Sequence, residues 1–302
     1  MMDDIGDTTL HLSAGDLGAK ALTVHTGHPV SGFRENFLDG HVPLLQTTYD
    51  VDPYIALRAA SIHALGWTSL EQATASVHQQ LQLLLNPRLR RVIYWHDGDL
   101  FDTLILCHIA QGTHLHGRSQ PYPQLLMRRY QAGHASLVID DASGVVEEGI
   151  VLHDATIAAL IGVWQAFTST DPQALHLCIR RLQQTDDAVF VELAAQLHGA
   201  IAVGDDGLLG YERAMLHAIA EYGGSGTPEL MREINRAAGP MAPMTDTMLY
   251  ALCKRFRPDA FEIGTMLTVE QMIELLAHSE RQAVPDRNQH YFGALRVGVH
   301  AR

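Results

Sequence analysis

Cysteine is scarce in this chain, positive charge is outnumbered, and long apolar runs do not occur; each shortage removes a class of protein. The three cysteines, Cys107, Cys178 and Cys253, stand far apart inside apolar helical patterns, which gives no basis for a disulfide framework or a Cys-based zinc site. Buried thiols are the expectation. No apolar stretch approaches the roughly 20 residues that span a bilayer, and the opening MMDDIGDTT is acidic, without the basic and apolar regions of a signal peptide. These features predict a cytoplasmic protein with no membrane partner. Lys and Arg number 21 against 34 Asp and Glu, a net charge of −13. Binding to a phosphate backbone needs clustered Lys and Arg, so nucleic acid is not an expected partner. The deficit holds in both halves, with 9 basic and 16 acidic residues up to position 150 and 12 and 18 beyond it. Also missing are G-x-G-x-x-G and G-x-x-x-x-G-K-[ST], so neither the usual dinucleotide fingerprint nor a P-loop is present.

What is present is globular: 47% hydrophobic and 18% charged residues over 302 positions, enough for one large or two ordinary domains. The eighteen histidines make net charge sensitive to pH between roughly 5 and 8. The chain is organised around residues 90 to 111, RRVIYWHDGDLFDTLILCHIAQ. Val92, Ile93, Tyr94 and Trp95 form a short β-branched and aromatic run that breaks at His96-Asp97-Gly98 into helical periodicity. A strand buried on both faces, a tight loop and a buried helix are predicted, with Asp99 as N-cap and Asp102 at the positive end of the helix dipole.

Around this unit the chain alternates. A first strand over 8–14 is followed by a helix from Gly15-Asp16, then by a short strand at 29–32 and an irregular stretch at 33–43 that concentrates Arg34, Glu35, Asp39 and His41. Two helices follow, at 53–65 and at 69–85, the second with a capping box from Ser69 to Gln72. A helix over 123–131 and a strand over 134–140 complete the pattern, which implies a mainly parallel sheet with helices on its faces. Beyond His153 strand signals almost vanish, and helices are predicted at 155–168, 172–182, 188–202, 211–221, 228–238, 246–256 and 269–279. The fold class is therefore α/β: a Rossmann-like, mainly parallel sheet domain over residues 1–145, then an all-helical domain over 146–302, for which a winged-helix-like arrangement is one form.

Several of these stretches together resemble a bacterial family catalogued as domain of unknown function 1835, whose members usually carry a second C-terminal domain. They are Leu10-His-Leu-Ser-Ala-Gly-Asp16; the Leu57-Arg58 helix; Trp95 with Asp97, Asp99, Leu100 and Asp102; Trp164-Gln-Ala-Phe167 with Asp171-Pro172; Gly207-Leu208 with Glu212-Arg213 and Leu216; and Asp246-Thr247. They run in order over most of the chain. Leu17 stands where that pattern commonly has Ser after Gly-Asp, which removes the nucleophile a serine-hydrolase reading needs, and Gly40-His41-Val42-Pro43 replaces a Gly-Pro pair. The resemblance implies a Rossmann-like N-terminal domain and no particular activity.

Candidate ligand-binding residues fall in two loops and one irregular stretch. Asp16 and the group His96, Asp97 and Asp99 would lie at carboxyl ends of parallel strands, where ligands of wound α/β sheets bind, and would meet if the two strands are neighbours. Acids at helix starts repel phosphate, so a ribose, an amine or a metal-bridged ligand suits such a crevice better than a bare anion. Arg34, Asp39 and His41, with Glu35, offer an anion clamp and an acid or base. His108, His114 and His116 form H-x5-H-x-H, which matches no established metal spacing. Residues 227–256 have the spacing of a helix-turn-helix, but Asp246, Thr247 and Met248 begin the second helix where a recognition helix is polar and basic.

The sequence thus predicts a small-molecule ligand, nucleoside- or amine-like, at an acidic crevice formed by Asp16, Arg34, Asp39, His41, His96 and Asp97. Whether chemistry follows binding is open, no cofactor or metal is named, and self-association is compatible with the pattern. The competing class is a regulatory protein with a ligand-sensing α/β domain and a helix-turn-helix-like C-terminal domain.

Overall fold

The computed structural model describes residues 8–96, 98–115, 122–129, 149–202 and 209–222, together with short pieces at 249–250, 252–253, 271–272, 290–292 and 295–297. Five strands form one sheet in the order β2-β1-β3-β4-β5: β2 is Val30–Phe33, β1 Thr8–Ala14, β3 Leu89–His96, β4 Gln124–Arg129 and β5 Ile150–Val151. The first four are parallel, and β5 runs antiparallel to β4. The architecture is α/β with a mostly parallel sheet.

The central strand behaves as its composition requires. Val92, Tyr94 and Trp95 are fully buried and Ile93 nearly so, because β3 has a strand on each side and helices over both faces. Alternation sends Ile93 and Trp95 to one face, where they pack on Leu22 of α1 (Gly15–Thr26). Val92 and Tyr94 go to the other face, in a core with Leu104 and Ile105 of α4 (Leu100–Thr113). Right-handed crossovers explain the division, since β1 to β2 and β3 to β4 run in opposite directions across the sheet and so carry their helices on opposite faces. Between β2 and β3 lie α2 (Val51–Leu65) and α3 (Leu70–Leu84), a packed pair. Ser69 caps α3 by accepting from the Gln72 amide, which is one half of the predicted capping box; the Gln72 side chain instead accepts from the Thr68 hydroxyl.

α4 is buried from Leu100 through Thr113 with only Phe101 partly exposed. The next helices, α5 (Asp154–Phe167), α6 (Pro172–Leu182), α7 (Ala188–Ile201) and α8 (Gly210–Tyr222), follow the predicted spans closely. Trp164, Phe167 and Leu197 share one continuous core with Leu12, Val92 and Leu104, so α5 and α7 close over α4 without a break in the packing. Among the described residues no helix is long and apolar enough to cross a membrane.

Three expectations need correction or lie elsewhere. The helix predicted over 123–131 is a strand, β4: Leu125 and Met127 bury beside β3, and this parallel pairing overrides the helix propensity of a Leu-Leu-Met-Arg-Arg run. The C-terminal part is not purely helical, since β6 (His290–Phe292) and β7 (Leu295–Val297) form an antiparallel pair. Residues 134–140 and 228–238, and most of 246–256 and 269–279, lie outside the described residues, as does the first helix of the helix-turn-helix reading.

Candidate functional site

Strand order fixes where the site lies. From β1 the chain moves to β2 on one side; from β3 it moves to β4 on the other. The order therefore reverses between β1 and β3, which are hydrogen-bonded neighbours with Ser13 opposite Trp95. Loops leaving such a pair diverge to opposite faces and open a crevice at the carboxyl ends of the strands. The two loops are Ala14-Gly15-Asp16 and the turn after His96, so the sequence condition that their strands be adjacent is met.

Each described candidate has a definite place. Asp16, in the first turn of α1, accepts from Arg34 Nε at 2.7 Å, both side chains being more than half exposed. The approach depends on Gly32, where a Cβ would come within 2.5 Å of Asp16 Oδ1 and 2.8 Å of the Gly15 carbonyl oxygen. His96 is buried at the end of β3. The Thr103 hydroxyl donates to the Asp99 carbonyl at 2.7 Å, so its oxygen accepts from His96 Nε2 at 3.1 Å. That pairing fixes the Nε2–H tautomer and makes Nδ1 the acceptor of the ring. Asp97 lies outside the described residues.

The irregular stretch divides. Arg34 joins the crevice, whereas Asp39 and His41 belong to a cluster on α2. Arg58 of α2, fully buried, donates from Nε to Glu35 Oε2 (3.0 Å), from Nη1 to the carbonyls of Asp39 and His41 (3.1 Å each) and from Nη2 to that of Asn36 (2.6 Å). Asp39 Oδ2 accepts from Asn36 Nδ2 at 3.3 Å. Burial lowers the His41 pKa, and the Arg58 charge lowers it further. One arginine thus pins the backbone of the whole stretch.

The acidic character expected of the crevice is largely internalised. Asp99 Oδ1 accepts the Asp102 amide at 2.8 Å as the cap of α4, and Asp102 Oδ1 accepts from the Tyr94 hydroxyl at 3.0 Å. With Asp16 on Arg34, each described carboxylate near the crevice already meets a donor.

No protein-family model, curated protein or solved structure matches the chain. The geometry alone carries the functional argument.

Four residues that sequence reasoning passed over matter here. Arg58 falls on the buried stripe Tyr54, Ile55, Ala59 and Ile62; a charged residue on an apolar face was the available signal. Gln196 of α7, 4% exposed, donates to the Gly98 carbonyl at 3.2 Å, so a C-terminal helix reaches the β3–α4 turn. Ser13 is fully buried, with no partner for its hydroxyl among the described residues. Arg128 lies over Trp95, its guanidinium carbon 5.3 Å from the ring centroid, and was concealed by the helical reading of its segment. The histidine triplet separates: His108 is enclosed by Phe33, Phe37, Tyr54 and Trp164, His114 stacks on Tyr122, and His116 lies outside the described residues.

Proposed function

We propose that this protein binds a small polar molecule, nucleoside- or amine-like, in the crevice between the β1–α1 and β3–α4 loops. The carrying observation is the reversal of strand order between β1 and β3, the position at which wound α/β sheets receive their ligands. At the carboxyl ends of these strands stand groups suited to hydroxyls and amines: the exposed Asp16 carboxylate and Arg34 guanidinium, with His96 at the end of β3. Asp97 extends this set on the sequence argument, whereas Asp39 and His41 stand apart, their backbone carbonyls held by Arg58. The reading is of a cytoplasmic binding protein, and it retains the resemblance to the family of domain of unknown function 1835, which rests on the ordered motifs.

Thermal shift and native mass spectrometry of the full chain, against a panel of nucleosides and polyamines, test the proposal. At least one compound is expected to raise the melting temperature and to appear as a one-to-one complex. Gly32→Ala, which drives a methyl group into the Gly15 backbone, should weaken that compound about tenfold or more while the variant remains folded. Binding unaffected by Gly32→Ala, or no binding across the panel, would count against the crevice.

A further inference from the structure

We propose that the crevice holds the phosphate of a nucleoside monophosphate, between the uncapped first turn of α1, the Ser13 hydroxyl and the Arg128 guanidinium. The proposal rests on the reading above and selects within it, because a positive subsite repels an amine.

Three independent observations meet on one face of the sheet. The N-cap of α1 is Ala14, which has no side-chain oxygen, so the first-turn amides of this 12-residue helix receive no side-chain cap. Gly15, the first residue of the helix, has φ 66°, with nothing within 4 Å of the place a Cβ would take. Uncapped amides and the positive end of the helix dipole together favour an oxyanion. Ser13, one residue before the cap, is the second observation. Its register with Trp95 places it on the face that α1 covers through Leu22, and its buried hydroxyl lacks a partner among the described residues. A buried hydroxyl is retained without a partner only at a cost in stability, so such a group points to a ligand.

Arg128 is the third. Trp95 pairs laterally with Ser13 on one side and Arg128 on the other, so Ser13, Trp95 and Arg128 form one row across three strands. Two strand spacings separate the ends, roughly 10 Å between Cα atoms. Among the described residues, Arg128 Nε is buried without a hydrogen-bond partner and no carboxylate pairs with this side chain. The same face carries His11, stacked on His28 at 5.0 Å and accepting from Trp95 Nε1 at 3.4 Å. Burial depresses the His11 pKa first, and the charges of His28 and Arg128 depress it further. His11 is therefore held neutral beside the Arg128 guanidinium, the cation of this face among the described residues.

The acid expected to repel phosphate is turned aside. Asp16 Oδ1 occupies the space over Gly32 of β2 and is held by Arg34, on the far side of β1 from Arg128. A tetrahedral dianion suits the remaining donors, helix amides on one side and a planar guanidinium fork on the other.

Calorimetric titration of the full chain with inorganic phosphate, four nucleosides and their monophosphates decides the matter. At least one monophosphate should bind about tenfold or more tightly than its nucleoside, the scale of a charge-assisted contact. Arg128→Gln and Ser13→Ala should each reduce the monophosphate to the affinity of the nucleoside. Ser13→Ala should also melt no lower than wild type, since it deletes an unpartnered buried hydroxyl. Equal binding of nucleoside and monophosphate would overturn this proposal and leave the crevice reading standing. Inorganic phosphate bound as tightly as every monophosphate would overturn the nucleotide assignment. A Ser13→Ala protein that melts early yet binds unchanged would make Ser13 scaffold and overturn the subsite. Failure of phosphate, nucleosides and monophosphates alike would overturn both the subsite and the nucleoside branch of the reading.

Discussion

His108 sits where four aromatic rings and a guanidinium meet, and its chemistry follows from that position. Burial drives its pKa down to about 3, with the Arg58 charge acting in the same direction. The folded protein therefore keeps a neutral imidazole at every ordinary pH. The unfolded chain protonates this group near its ordinary value of 6.5. As pH falls through that value toward about 3, the unfolded state gains a proton that the folded state refuses, and stability is lost. The contribution is fully present above the unfolded pKa. Between about pH 7.5 and about pH 5.5, wild type should lose about 1.4 kcal/mol more stability than His108→Gln, from the energy of one pKa unit. Urea unfolding at the two pH values measures it; equal losses in the two proteins would contradict the assignment. From the sequence, the position of His108 on an apolar helix face indicated burial. Its neutrality depends on Phe33, Tyr54, Arg58 and Trp164, which no local pattern could bring together.

At the scale of elements, agreement was closest where local and tertiary preferences coincide. β3, α3, α4 and α6 carry their own signals: a continuous apolar run, a capping box, an Asp N-cap, and Asp171 before Pro172. β4 shows the opposite case. Its residues favour a helix, and only pairing with β3, in register from Arg91 with Gln124 to His96 with Arg129, makes it a strand. The stretch after β2 was legible as irregular and charged, a pattern that suits a free loop. Arg58 makes it a fixed one, because a single buried guanidinium satisfies Glu35 and three backbone carbonyls. Removing one partner of a buried ion pair leaves the other charge uncompensated, so Arg58→Met should cost about 3–5 kcal/mol in chemical denaturation. Amide hydrogen exchange over residues 34–43 should accelerate more than exchange in β3. A uniform change across the sheet, or a loss below about 1 kcal/mol, would show that the stretch is held by other contacts.

Across the whole molecule, the site follows from topology more than from any motif. Two loops separated by some eighty residues become neighbours because β1 and β3 pair while their crossovers leave in opposite directions. The sequence supplied the loops and the kind of groups in them, Asp16, Arg34 and His96. It did not supply Gln196, whose contact with Gly98 depends on α7 closing over α4, nor Arg128, which needs β4 to exist. The acidic appearance of the crevice also failed to survive folding, since Asp99, Asp102 and Asp16 each meet a donor. The central claim is that the crevice between these two loops is the binding site. Its most direct test is an amide NMR titration of the full chain with the compound found by the ligand panel. The account predicts that the largest shifts fall on Gly15, Asp16 and Gly98, with little change in α6 or at the β5 edge. Shifts centred on α6 or β5, with Gly15, Asp16 and Gly98 unmoved at saturation, would contradict it.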